Sequence, residues 1–203
     1  MTVWWALALY LIFGVLGFGW RSWRQHRHTG STGFRGVSGR PGSLEWFAGV
    51  GFIAAIAVGV AAALLQLTGL LAPIAALTAT PVQALGVALA VAGIAATLYA
   101  QDQMGDSWRI GVDDTETTTL VHTGVFGLVR NPIFTAMLVF AAGITLIIPN
   151  LMAIVGFVLL VAMIELQVRI VEEPYLTRVH GADYRNYLAT TGRFAPGIGR
   201  ITT

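Results

Sequence analysis

The sequence predicts an all-α integral membrane protein, with about five transmembrane helices followed by a C-terminal amphipathic helical tail. Three observations predict it. Of the 203 residues, 56% are hydrophobic and 11% are charged, against about 25% charged in an ordinary soluble domain, and the mean hydropathy is +0.73. The apolar residues gather into five runs, each near the roughly 20 residues that a bilayer requires. The charges collect in alternate connections between those runs.

The first run, Val3 to Trp20, has no basic leader and no small-residue cleavage site. It leads straight into Trp20-Arg21 and Trp23-Arg24, which reads as a retained anchor. The second and third runs, Trp46 to Leu71 and Val82 to Ala100, carry Gly59 and Ala63, and Gly86 and Ala90, each pair four apart; small residues at that spacing let helix backbones approach closely. Gly17-Phe18-Gly19 and Gly49-Val50-Gly51 lie within or at the head of apolar runs, so they are not dinucleotide fingerprints. The tract Thr115 to Thr119, with Asp113, Asp114 and Glu116, is expected to form a solvated turn. The fourth and fifth runs, Pro132 to Ile148 and Leu151 to Val171, are separated by Pro149-Asn150, a turn signal that makes them an antiparallel hairpin. That hairpin brings Arg130 and Arg169 to the same depth. After Glu172-Glu173, Pro174 should kink or restart the helix. Gly181 suits a helix end, with Asp183 capping a further short helix through about Ala189. Tyr175, Leu176, Tyr184, Tyr187 and Leu188 give this tail an apolar side, fit to lie on the membrane or to close over the hairpin mouth.

Residues 21–40 hold five Arg and no acid, whereas 72–81 and the Pro149-Asn150 turn hold no charge. The positive-inside rule then places the N-terminus outside a cell inner or plasma membrane. It places 21–45, 101–131 and the tail from 172 in the cytoplasm, with any active site. Residues 1–100 form three N-terminal spans and 101–203 a catalytic region of loop, hairpin and tail.

The sequence pI is about 9.4, but the net charge is only +2 and orientation accounts for the Arg cluster. Membrane lipids, through anionic headgroups, are the expected partners and nucleic acid is not. His26 and His28 have no carboxylate or thiol nearby and read as solvated, so no metal is expected. The absence of cysteine excludes disulfides, thiolate metal sites and a cysteine nucleophile. Oligomeric state stays open, since small-residue faces pack helices within a monomer as readily as between monomers.

Glu165, Arg169 and Glu172 or Glu173 are spaced to share one helix face. An ionised Glu165 inside an apolar run costs about 2.5–3.5 kcal/mol on insertion scales, so it needs a partner or a polar cavity; an intrahelical pair with Arg169 would be the first and would serve only the bundle's stability. Two acids at a helix carboxyl end oppose the macrodipole, which points to a retained use.

The segment Leu120-Val121-His122-Thr123-Gly124-Val125-Phe126-Gly127-Leu128-Val129-Arg130-Asn131-Pro132-Ile133-Phe134 resembles the signature of the isoprenylcysteine carboxyl methyltransferase and phospholipid methyltransferase superfamily, typically Gly-x-Tyr, three residues, Arg-His-Pro-x-Tyr. Glu172-Glu173, Leu176, Gly181, Tyr184, Tyr187 and Arg193-Phe194-Ala195-Pro196 follow that family's C-terminal pattern, and Met104 to Gly111 resembles a loop of its bacterial members. The resemblance implies S-adenosylmethionine as cofactor, in a pocket made by the last two spans and the tail. His122, Gly124, Val125, Phe126, Arg130, Asn131, Pro132, Glu172 and Glu173 would line it. Arg130 or Arg169 would meet the cofactor carboxylate, the two acids would meet its amine, ribose or sulfonium, and Trp108 and Arg109 would touch a lipophilic acceptor. Arg130, Arg169 and Glu173 are the catalytic candidates. A carboxylate acceptor needs only an orienting Arg; a phospholipid amine needs a base such as Glu173. Asn131 replaces the usual His and Phe134 the usual Tyr, so proton chemistry of those side chains does not carry over. Two other readings stay open: an NADPH-dependent membrane reductase of the steroid reductase type, and a non-enzymatic lipid-binding scaffold.

Overall fold

The computed structural model describes residues 2–111 and 119–201. The expected acidic turn at Asp113, Asp114 and Glu116 lies outside the described residues. Among those described there are helices, short helical turns and three isolated β-bridges, but no strand. Helix α1 (Thr2–Phe13) continues through a π-helical stretch, Gly14–Trp20, into α2 (Arg21–Thr29). The helix therefore runs nine residues past the apolar run. Three interactions hold its basic end: Arg21 donates to the Gly105 carbonyl (2.6 Å), Gln25 to the Asp106 carbonyl (2.7 Å), and Arg24 pairs with Asp102 (2.7 Å).

Two further helices and a hairpin complete the bundle. Helix α3 (Leu44–Leu67) starts at Ser43, whose hydroxyl accepts from the Trp46 amide, and α4 (Thr80–Gln103) carries Pro81 in its first turn, where no donor is missed. Helix α5 (Pro132–Ile147) begins on Pro132 in the same way. Asn150 caps α6 (Leu151–Leu166): its side chain accepts from the Ala153 amide (2.8 Å) and donates to the Ala62 carbonyl and to Gln66 Oε1. The turn is also tied across the bundle, Ile74 donating to the Pro149 carbonyl at 2.7 Å.

Four helices are long and apolar enough to cross a membrane, and α5 is a shorter apolar helix. Apolar side chains on their outer surfaces, among them Leu11, Ile53, Leu85, Val91, Val155 and Val158, are exposed. Helices apolar all round whose outer faces lack protein cover are suited to lipid. Exposed Trp4 and Trp5 lie toward one end and Trp20 and Trp23 toward the other, as interfacial aromatic belts do. The turns at 68–79 and 148–150 bear no charge, and the charged residues cluster at the opposite end of the bundle. This is an integral membrane protein.

Helix α4 packs most extensively on α5, and α3 on α6. The small residues make both contacts. A Cβ on Gly93 would sit 2.5 Å from the Phe140 amide nitrogen, and one on Gly143 2.5 Å from both the Ala90 nitrogen and the Gly86 oxygen. Gly156 meets Gly59 across α3 and α6, and Gly59 also gives room to the Tyr10 hydroxyl.

After α6 a π-helical stretch, Gln167–Glu172, leads into α7 (Glu173–Thr190), with Pro174 in its first turn. Gly181 breaks α7 with φ 56° and ψ −121°. Only glycine adopts that backbone readily, and the helix then resumes as far as Thr190.

Gly93→Val should destabilise the fold by about 3 kcal/mol or more, because the added methyls press on backbone that cannot move aside. Gly19→Ala, whose new Cβ has its nearest neighbour at 3.8 Å, should stay within about 0.5 kcal/mol. Denaturant unfolding in micelles reads both.

Candidate functional site

Arg130 sits where the chain turns into α5. The short helical turn Gly124–Gly127 brings the chain round, and Pro132 disfavours helix at the residue before it, so residues 129–131 run alongside the C-terminal tail. Val129 bridges Gly192, the Arg130 amide donates to the Gly192 carbonyl (2.8 Å) and the Asn131 amide to the Arg193 carbonyl (3.1 Å). Asn131 Nδ2 donates to that same carbonyl at 3.2 Å, and the Thr135 hydroxyl to the Phe194 carbonyl at 2.9 Å. Asn131, standing in for the family His, thus binds the tail. Phe134, standing in for Tyr, packs edge-on against Phe52 and needs no polar partner.

The Arg130 side chain, 1% exposed, ties four segments together. Nη1 donates to the Leu188 carbonyl (3.2 Å) and to the Thr191 carbonyl; Nη2 donates to Glu173 Oε1 (2.9 Å) and to the Gly199 carbonyl (3.1 Å). Glu173 in turn takes a bidentate contact from Arg193: Nε to Oε1 at 2.8 Å and Nη2 to Oε2 at 3.0 Å. Arg193 lies 4.0 Å from Glu165, which pairs with Arg169 at 2.5 Å. The result is a ladder of alternating charge, Arg130, Glu173, Arg193, Glu165, Arg169, buried at its first rung and 55% exposed at its last.

Glu173 lies beyond the apolar run that ends at Val171. Burial pushes its carboxyl up, but hydrogen bonds and charge from Arg193 and Arg130 outweigh that and hold it below the ordinary 4.5. The hydrogen bond to Glu173 raises Arg193, against burial. Arg193 was legible in the sequence only as part of the Arg-Phe-Ala-Pro stretch; its pairing with Glu173 depends on the tail folding back.

Beside the ladder lies a cavity of about 740 Å³, within the range of small-molecule sites. Its wall includes Trp108, Arg109, Phe126, Arg130, Asn131, Pro132 and Glu172 among the residues singled out from sequence. His122, Gly124, Val125, Arg169 and Glu173 are not part of that wall. His122 Nδ1 approaches the Leu120 carbonyl, Gly124 abuts Gln103, and Arg169 and Glu173 are rungs of the ladder. Tyr175, Leu176, Tyr184 and Tyr187 of α7 line the mouth, with the Tyr187 hydroxyl donating to the Phe126 carbonyl. The tail's apolar side therefore faces the cavity. From this end the cavity runs between α1, α3, α4, α5 and α6 as far as Gly59 and Gly156, through an almost wholly apolar wall.

The two neighbouring acids differ. Both Glu173 oxygens are occupied, whereas Glu172 faces the cavity with no hydrogen bond or ion pair seen among the described residues. Burial raises the Glu172 carboxyl to about 7, against the pull of the Arg109 charge. Arg109 itself lies over the Tyr175 ring at 4.9 Å and leaves Nη1 without a partner among the described residues, as Arg130 does Nε. The group held between Arg21 and the cavity is Trp108, with the Arg21 guanidinium 4.7 Å from its ring.

Glu173→Gln should cost about 3–5 kcal/mol, because two buried guanidinium groups lose their shared carboxylate, whereas Arg169→Gln at the exposed rung should cost under about 1 kcal/mol. Because the folded Glu173 carboxyl is depressed, its contribution is complete above the ordinary 4.5 and is lost as pH falls through the lower folded value. Unfolding curves from neutral to acid pH should therefore fall more steeply for the wild type than for Glu173→Gln.

Comparison with protein families matches residues 82–183 to the model described as phospholipid methyltransferase. That is just over half of the chain, and it holds α4 to α6, most of α7, and Trp108, Arg109, Arg130 and Glu172. Comparison with curated proteins finds no match. An apolar helical bundle, a paired arginine and glutamate at the end of its hairpin, and this matched segment together identify the chain as a member of the phospholipid methyltransferase family of integral membrane methyltransferases.

Proposed function

We propose that the protein transfers a methyl group from S-adenosylmethionine to a lipophilic acceptor that enters from the bilayer. The observation that carries this reading is a cavity with two unlike ends, one charged and aromatic, the other long and apolar. The charged end fits the cofactor group by group. Among the described residues the Glu172 carboxylate is unpaired and suits a sulfonium or ammonium, Arg109 Nη1 and Arg130 Nε have no partner and suit a carboxylate, and Phe126, Tyr184 and Tyr187 offer flat faces to a purine.

When bound, the cofactor supplies a methyl group on a positively charged sulfur, which an acceptor lone pair displaces in line. The chain's own part is alignment and exclusion of water. Holding two reactants in attack geometry is worth roughly 7–11 kcal/mol, and the ladder gives the wall that rigidity. Glu172, with its raised carboxyl, is the acid available to take a proton from an amine or hydroxyl acceptor. Glu173, with both oxygens occupied, acts as a positioning residue for Arg130, and Arg169 supports Arg193 through Glu165. Trp108 and Arg109 border the acceptor. The five Arg of residues 21–40 favour the charged end facing the cytoplasm and the N-terminus outside.

Labelled S-adenosylmethionine should bind saturably to the protein in lipid nanodiscs and resist displacement by NADPH. Because ionised Glu172 is the cation-binding form and its carboxyl is raised to about 7, binding should strengthen as pH rises through that value. Glu172→Gln should bind about tenfold more weakly or worse and lose this pH dependence, while its unfolding midpoint at neutral pH stays at or above that of the wild type, because the buried charge is removed. Displacement by NADPH, or no binding by folded wild type, would overturn the assignment.

A further inference from the structure

Two polar side chains in the apolar wall of the cavity have no use in the cofactor site. Thr97 and Gln101 are one turn apart on α4, so they share a face. Both line the cavity and both are buried, at 1% and 3% exposure. Gln101 Nε2 donates to the Gly17 carbonyl at 2.9 Å, in the π-helical stretch of the first span. That bond fixes the amide: turned over, its oxygen would face another acceptor. The atom left over is Gln101 Oε1, and it has no partner among the described residues.

The Thr97 hydroxyl is likewise unpartnered. A helical threonine usually donates to the carbonyl four residues earlier. In α5 Thr135 does so to Asn131 (3.1 Å) and Thr145 to Ala141 (2.9 Å), but Thr97 does not. Buried polar atoms without partners are rare, and each marks strain or a missing ligand group. Around them the wall is apolar, with Phe18, Ile133, Met137 and Phe140. Of the arginines on the cavity wall, Arg130 has both terminal nitrogens occupied and Arg109 lies over the Tyr175 ring.

We infer that Thr97 and Gln101 form a subsite for a hydrogen-bond-donating group of the lipophilic ligand, a hydroxyl or an amine N–H, and that it excludes a carboxylate. This rests on the reading of the cavity as the acceptor site, and it names the acceptor's chemistry. A free amide oxygen accepts from O–H or N–H but repels the lone pairs of a carboxylate.

The test compares dodecanol with dodecyl methyl ether and dodecanoate, each titrated at equal membrane mole fraction into the protein in nanodiscs without cofactor, with the shift in unfolding midpoint giving apparent affinity. Wild type should favour dodecanol over the other two by about tenfold, the value of one hydrogen bond. Thr97→Val and Gln101→Met, close in shape to the originals, should each reduce that preference to within about twofold while still binding the ether, which reports an intact cavity. Equal binding of all three by wild type, tighter binding of dodecanoate, or a preference that survives both substitutions, as for a notch filled by water, would overturn the proposal. The readout needs no S-adenosylmethionine, so a failure here leaves the cofactor assignment standing, and a failure to bind cofactor does not decide this one.

Discussion

A single buried carboxylate holds the charged end of this bundle together. Glu173 lies between the guanidinium groups of Arg130 and Arg193, and through Arg130 it joins the entry to α5, the end of α7 and the last residues of the tail. Without that carboxylate the tail would have to surrender two buried cations to solvent, and the backbone pairing of 129–131 with 192–193 would lose its support. Only the exposed rung at Arg169 can be dispensed with cheaply. The architecture thus places its most costly charges where they close a surface and its least costly ones in water.

The same economy of space governs the spans. Helices α4 and α5 touch backbone to backbone through Gly86, Gly93 and Gly143, an arrangement that lipid tails do not oppose and that dispersion forces favour. Close packing there, and between α3 and α6 at Gly59 and Gly156, leaves room elsewhere, between α1, α3, α4, α5 and α6. The cavity is the complement of those two tight seams. Its apolar length and its polar mouth follow from the same bundle: the hairpin spans the membrane, and its charged end is capped by α7.

Two adjacent acids divide the work at that mouth. One turns into the ladder and is saturated; the other turns into the cavity, has no hydrogen bond among the described residues, and has its carboxyl raised by burial to about 7. The π-helical stretch Gln167–Glu172 ends on the first of them, and Pro174 immediately follows the second. Widened turns of this type recur at functional sites because they shift the register of side chains against the helix face. Here consecutive residues face the cavity and the ladder separately.

Much of this was legible in the residues. The five apolar runs, the uncharged turns, the small-residue spacings of Gly59, Ala63, Gly86 and Ala90, the hairpin at Pro149-Asn150 and the Arg-Asn-Pro entry to α5 are local signals, each readable because hydrophobicity, turn chemistry and helix packing act over a few residues. The continuation of the first helix to Thr29 was not, because it depends on Arg21, Arg24 and Gln25 finding partners about eighty residues away. Nor did spacing distinguish Glu172 from Glu173, assign Arg193 to the second of them, or expose Gln101 as a fixed amide with a free oxygen. By itself the sequence determined that the chain is a helical membrane protein with charged groups gathered at one end of a hairpin. The tertiary structure decided which of those groups are spent on one another and which remain free for a ligand, because ion pairing and burial depend on distances between segments remote in sequence.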